Sequence, residues 1–185
     1  MLLLARKARL FWPLFSALVL IDWGTKQLAV DRLSPAYVQH EVLGDVVCFT
    51  LAYNPGAAMS LSLGDYSRAG FTLLSLFALA ALGRLYRNAR DDDGSIAVAL
   101  ALVCGGATGN LLDRLRSARG VVDFIDVGFG DYRFWTFNLA DVGVTVGAAA
   151  LTILLWRRES ARRESEAPTA GPSAGAASPT TSAAP

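Results

Sequence analysis

Cysteine and histidine are nearly absent. Cys48 and Cys104 form no CxxC pair and His40 stands alone among 185 residues, so neither a disulfide framework nor a zinc site is supported. No metal and no other cofactor is expected. Charge is scarce as well: 18% of the residues, with a formal net charge of +1. No face is globally basic, and a nucleic-acid partner is excluded. What the chain has in quantity is apolar side chains, 53% of the total, in runs rather than in alternation, with a mean hydropathy of +0.38. That composition describes a polytopic membrane protein of one domain.

A hydrocarbon layer of about 30 Å needs about 20 apolar helical residues. Segments at about 11–29, 68–86, 95–113 and 137–156 approach that length. The fold class is therefore all-α and membrane-embedded, with four transmembrane helices in a domain covering residues 1–157. The basic start "ARKAR" before the first segment resembles a signal peptide but lacks a clear cleavage site, and a retained anchor is expected. The last segment is followed by a stretch rich in Ala, Pro, Ser and Thr. Residues 158–185 are expected to be a disordered cytoplasmic tail.

Basic residues give the orientation. Arg6, Lys7, Arg9, Arg84, Arg87, Arg90, Arg157, Arg158, Arg162 and Arg163 fall on one side of an even number of spans, ten of the 17 Lys and Arg residues. They cluster at helix ends, which makes that side the cytoplasm and puts both termini there. The polar residues of the spans then collect at the opposite leaflet. Asp22 and Lys26, four apart, share a face of the first helix; Asn110, Asp113 and Arg114 end the third; Asn138 and Asp141 open the fourth. Between the first two helices, β-branched and aromatic runs flank Gly44-Asp45 and read as a hairpin or small sheet. The connection 114–136, with Phe124, Phe129, Phe134 and Trp135, reads as amphipathic and interfacial.

"DWGTK" (22–26), "NPGAA" (54–58), "GGATGNLLDR" (105–114), "VVDFI" (121–125) and "FNLAD" (137–141) resemble, in this order, the motifs of bacterial lipoprotein signal peptidase, signal peptidase II. The resemblance spans about residues 11–156. It implies four transmembrane helices, a small extracytoplasmic β-region and an interfacial helix over the site. The implied activity is that of an aspartyl endopeptidase of the bacterial inner membrane. It uses Asp123 and Asp141 near the outer leaflet to cut diacylglyceryl-modified prolipoproteins just before the lipid-bearing cysteine. Asn54 and Arg114 resemble the family's substrate-backbone contacts. Asn110 and Asn138 are placed to orient the carboxylates or the scissile peptide, while Asp22, Lys26, Gly56, Gly109 and Asp113 support the site. The partners are then the prolipoprotein and membrane lipid, and the enzyme is expected to be a monomer.

The residues themselves agree with that chemistry. Hydrolysis without a metal, serine triad or reactive thiol needs a general base and a general acid. Two carboxylates sharing one proton supply both. Gly105 with Gly109, and Gly143 with Gly147, are small-xxx-small pairs that would bring the third and fourth helices together. Plainer roles are weighed beside these: Asp141 as a helix-start charge favoured by the dipole, Asp123 and Asp126 as solvated loop acids, and Asp22 with Lys26 as a structural ion pair. Asp91-Asp92-Asp93 reads as a solvated inner loop, Arg116, Arg119 and Arg133 as headgroup contacts, and the cysteines as small apolar fillers. Two other functions fit a small polytopic protein. An ion-coupled transporter would carry acids at several depths and usually an internal repeat. A non-enzymatic assembly subunit would leave the Asn, Asp and Arg cluster unused.

Overall fold

The computed structural model describes residues 6–56, 64–130 and 132–166. Four long helices, α1 (Arg6–Arg32), α2 (Ser67–Asn88), α3 (Gly94–Arg116) and α4 (Leu139–Glu166), carry a four-stranded antiparallel sheet at one end. Its strands are β1 (Gln39–Leu43), β2 (Val47–Asn54), β3 (Val121–Phe129) and β4 (Tyr132–Arg133), in that spatial order. Helices α2, α3 and α4 are long and apolar enough to cross a membrane. Helix α1 is 27 residues long but carries Asp22 and Lys26 in its apolar run.

The helix at the centre is α3. Sixty-one per cent of its apolar window is buried, against 6% for α2 and 22% for α4, because glycine and alanine let its neighbours approach. A Cβ on Gly106 would stand 2.2 Å from the Ala140 carbonyl oxygen of α4, and one on Gly105 3.3 Å from the Phe15 carbonyl oxygen of α1. From the other side, Gly143 and Gly147 face the carbonyl oxygens of Leu102 and Ala99. The expected glycine contact between α3 and α4 is therefore present, but on the α3 side Gly106 makes it most closely, with a Cβ on Gly109 standing 3.4 Å from the Ala140 Cβ. Gly105 faces α1 instead.

The ends of the elements differ from the sequence expectation in three places. Helix α4 continues to Glu166, past the expected start of the tail at 158, supported by Arg163–Glu159 and Arg162–Glu166 ion pairs spaced i,i+4; residues 167–185 lie outside the described residues, as do Ala57, Ala58 and Met59 after the NPG turn. The 114–136 connection, expected to be amphipathic and interfacial, begins with the last residues of α3 and then forms β3 and β4. The only other helical element among the described residues is the single 3₁₀ turn Gly64–Tyr66 at the start of α2. Finally, Asp91-Asp92-Asp93 is not a simply solvated loop. Lys7 pairs with Asp91 at 3.1 Å and donates to the Ala89 carbonyl at 2.7 Å, and Arg158 pairs with Asp93. These contacts tie the start of α1, the α2–α3 turn and α4 together at the end away from the sheet.

The β1–β2 hairpin turns at Gly44, whose φ of +55° suits glycine. Strand β2 pairs with β3 so that Ala52 faces Asp123 and Asn54 faces Val121. The chain then doubles back, and Phe137 exchanges backbone hydrogen bonds with Ile125 at 2.8 and 2.9 Å. That return brings the start of α4 beside Asp123.

Candidate functional site

Asp141 is held by a reciprocal helix cap. Asn138 precedes the first residue of α4, its Oδ1 accepts the Asp141 N–H at 3.0 Å, and Asp141 Oδ2 accepts the Asn138 N–H at 3.1 Å. This is a capping box with Asn and Asp in the two roles. A third amide of the same turn, that of Ala140, donates to Asp22 Oδ1 on α1 at 2.9 Å. The helix-start role and a site role for Asp141 are thus compatible: the cap fixes where the carboxylate stands.

Asp123 reaches the same place from the sheet. It is buried, 3% exposed, and is not a solvated loop acid. Asn138 Nδ2 donates to its Oδ1 at 2.6 Å and Asn54 Nδ2 to its Oδ2 at 3.3 Å. Burial, reinforced by the negative charge of Asp141, pushes the Asp123 carboxyl up to about 7, against the lowering effect of the two amide hydrogen bonds. Asn110, on α3, donates from Nδ2 to Asp141 Oδ1 at 2.8 Å. Three side-chain amides from β2, α3 and the α4 cap thereby converge on two carboxyl groups.

Beneath them lies a buried ionic cluster. Lys26 is 0% and Asp22 1% exposed. The Lys26 Nζ is 2.8 Å from Asp22 Oδ2, 2.9 Å from Asp113 Oδ2 and 2.9 Å from Asn110 Oδ1. Three N–H bonds meet three acceptors, which is what an ammonium group requires away from water. Asp113 also accepts the Val122 N–H at 3.2 Å, fixing the start of β3. Gly109 makes room for this cluster, since a Cβ there would stand 2.4 Å from Asp22 Oδ2. Arg114 donates to the Gly56 carbonyl at 2.9 Å while the Gly56 N–H donates to Asn54 Oδ1 at 3.0 Å. Ten of the eleven residues singled out in the sequence are therefore joined in one network of hydrogen bonds and ion pairs, and the eleventh, Gly109, leaves the space that the network occupies.

A cavity of about 950 Å³ opens over it, lined by Asn54, Gly56, Asn110, Arg114, Asp123 and Asp141 and walled by Phe134, Trp135, Val142 and Val146. Val142 and Val146 are an i,i+4 pair that sequence reasoning passed over; their spacing from Asp141 was the available signal. Among the described residues no group of His, Cys, Asp or Glu could hold a metal ion.

Asp126 and the outer arginines also differ from expectation. Asp126 is 4% exposed, and accepts from Thr50 at 2.9 Å, Gln39 at 3.0 Å and Arg133 at 3.0 Å. Burial would raise its carboxyl, but these three donors together hold it below the usual carboxylate range. It locks the sheet rather than serving as a solvated acid, and Arg133 is its partner rather than a headgroup contact. Arg119 lies over the Tyr53 ring at 3.9 Å and Arg116 over Trp23 at 5.9 Å. Both arginines thus have ring partners within the fold.

The profile of the family described as signal peptidase (SPase) II matches residues 14–157. The chain belongs to this family. It is 39% identical over 159 residues to the lipoprotein signal peptidase of Geobacter metallireducens, covering 85% of this chain and 96% of that one. With the lipoprotein signal peptidase of Pseudomonas aeruginosa it shares 40% identity over 157 residues, 82% of this chain and 91% of the relative. The fold superimposes on a solved bacterial membrane enzyme with a TM-score of 0.72 at 28% identity, covering 82% of this chain and 90% of the other. The family and its fold do not favour the transporter reading.

Proposed function

We propose that the chain is an aspartic endopeptidase that removes signal peptides from prolipoproteins, with Asp123 and Asp141 as the catalytic pair. The observation that carries this reading is the convergence of two carboxyl groups, one on a strand and one on a helix cap, at the floor of one cavity. One carboxylate deprotonates water and the partner carboxylic acid protonates the carbonyl oxygen of the scissile peptide. Asn54, Asn110 and Asn138 orient the pair, and Arg114 holds the Asn54–Gly56 turn against it.

Four spans rather than three follow from the same cluster. Twenty-seven helical residues reach about 40 Å at ~1.5 Å per residue, enough for a bilayer core. The charges that lower the hydropathy of α1 are turned inward and neutralised by Asp113 and by each other. With α1 as a span, the basic ends of α1, α2 and α4 face the cytoplasm. The catalytic pair then lies toward the outer leaflet of the inner membrane, where a diacylglyceryl-modified cysteine would stand. We read the enzyme as a monomer in lipid, because one chain suffices to supply both carboxyls and the three amides that hold them.

The test is cleavage of a diacylglyceryl-modified prolipoprotein by wild type, Asp123→Asn and Asp141→Asn in detergent, with thermal melting as a folding control. Both folded variants are expected to lose at least about 10³-fold in kcat. Retained cleavage in either variant removes that residue from catalysis. A wild type that cuts no such substrate overturns the whole reading.

A further inference from the structure

Two amides near the catalytic pair, the buried Asn138 and the half-buried Asn110, have one orientation that satisfies their partners. The Asn138 Oδ1 accepts a backbone N–H, that of Asp141, at 3.0 Å, so its Nδ2 must be the atom directed at Asp123 Oδ1, 2.6 Å away, and at Asn110 Oδ1, 3.1 Å away. Lys26 can only donate. The Asn110 atom 2.9 Å from its Nζ is therefore the oxygen, and the Asn110 nitrogen is left to donate to Asp141 Oδ1 at 2.8 Å. The Asn138 Nδ2 has two hydrogens for three acceptors, Asp123 Oδ1, the Asn110 oxygen and the Val122 carbonyl at 3.3 Å. Without Lys26 both can go to Asp123 and Val122, and the Asn110 amide could turn over and present its oxygen to Asp141, which would then need a proton to meet it. Fully buried and reaching neither carboxyl of the pair directly, Lys26 controls one of them through an intervening amide.

We infer that Lys26 is a positioning residue that fixes the direction of the Asn110 amide and thereby makes Asp141 the ionised, and Asp123 the protonated, member of the catalytic pair. This rests on the peptidase reading above and assigns the roles within it. Both oxygens of Asp141 receive anchored N–H donors, at 2.8 and 3.1 Å, which suits a carboxylate at the positive end of α4. Of the four carboxyl oxygens, Asp123 Oδ2 has the longest contact, 3.3 Å from Asn54 Nδ2, and carries the proton. The raised titration of Asp123 has the same sense. The charged groups acting on the pair are Arg114 of α3 and Lys26 of α1, besides each carboxyl on the other; neither cation hydrogen-bonds Asp123 or Asp141.

The reaction then has a direction. Water oxygen bonds to the peptide carbonyl carbon as Asp141 takes one water proton and Asp123 gives its proton to the carbonyl oxygen. The neutral gem-diol collapses as the C–N bond breaks: Asp141 passes its proton to the leaving nitrogen, and a gem-diol hydroxyl returns one to Asp123. Both carboxyls end as they began.

The experiment uses the full chain in detergent and separates donor from charge. Asp22→Asn/Lys26→Met/Asp113→Asn removes the donor and the two acids it would otherwise strand; Asp22→Asn/Lys26→Gln/Asp113→Asn replaces the ammonium by a neutral N–H donor. The Met version is expected to lose about 10²-fold in kcat with KM within about twofold of wild type. The Gln version should recover at least about tenfold of that loss. Infrared spectra taken near neutral pH without substrate give an independent readout. The carboxylic acid C=O band of wild type should vanish in Asp123→Asn and persist in Asp141→Asn, whereas in the Met background each of these changes should remove only part of it. A wild-type band that vanishes in Asp141→Asn instead, or folded Gln and Met versions equally impaired, overturns the inference. Neither result touches the peptidase reading, which stands or falls on cleavage by the single aspartate variants.

Discussion

The two ends of the helix bundle use the same kinds of ion pair for different work. At the sheet end, Lys26 and Asp22 have side chains only 1% exposed; at the other, Lys7 pairs with Asp91, whose side chain is 76% exposed. Exposed pairs lose little when broken, because water replaces the partner. Buried pairs lose a great deal, because the survivor is left as an isolated charge. The difference teaches where charge specifies geometry. Around Lys26 each donor has one acceptor and the arrangement is forced, whereas around Asp91 the same charges fasten a turn that water could also satisfy.

Asp22→Ala breaks the comparison most severely. It leaves Lys26 with Asp113 and Asn110 but removes its third acceptor and that of the Ala140 N–H, and two unsatisfied buried donors at about 1–3 kcal/mol each should be measurable as reduced resistance to unfolding in detergent. Gly109→Ala follows. Its Cβ would press on Asp22 Oδ2, with an expected cost of about 1–3 kcal/mol and a fall in cleavage that tracks displacement of α3 from α1. The pH profile sharpens the contrast next. The folded Asp123 carboxyl titrates at about 7, above its ordinary value of 3.8, so the folded state holds a proton that the unfolded state releases between these values. Stability therefore declines as pH rises from about 4 to about 7. Cleavage should fall about tenfold per pH unit above about 7 as the acid is lost. Arg158→Ala, at the other end, should be nearly silent: its side chain is 48% exposed in the pair with Asp93, and the expected cost is about 0.5 kcal/mol or less in a thermal melt.

The long helices were legible because their signal is local. Apolar runs of sufficient length define α2, α3 and α4 within a residue or two at most ends, and the i,i+4 spacing of Asp22 and Lys26 anticipates their contact. The polar residues at helix ends, Asp22, Lys26, Asn110, Asp113, Arg114, Asn138 and Asp141, stood out as a group because polar side chains are costly there without a purpose, whereas Asn54 and Asp123, on β2 and β3, were singled out through the family resemblance. What escaped was set by pairing between distant segments. Asp126 looks like a loop acid until Gln39, Thr50 and Arg133, from three other strands, close on it. Strand β3 is buried on both faces over Val121–Phe124, which erases the alternation that would mark a half-exposed strand. Among the glycines, spacing alone placed two on each helix but could not say which faced α1, because Gly105 and Gly106 point to different neighbours.

The glycines of α3 also decide which part of the molecule can yield. Gly105, Gly106 and Gly109 each seat a different group of α1 or α4 against the α3 backbone, so these three helices are meshed like gears and none can slide without jamming a carbonyl or a side chain. Gly83 of α2 opens onto empty space, and only 6% of the apolar window of that helix is buried. The backbone meshing of the bundle is therefore confined to α1, α3 and α4, whereas α2 leans on them through side chains, Phe71, Leu79, Leu82 and Leu85 among them, and through Arg68 on the Arg114 carbonyl.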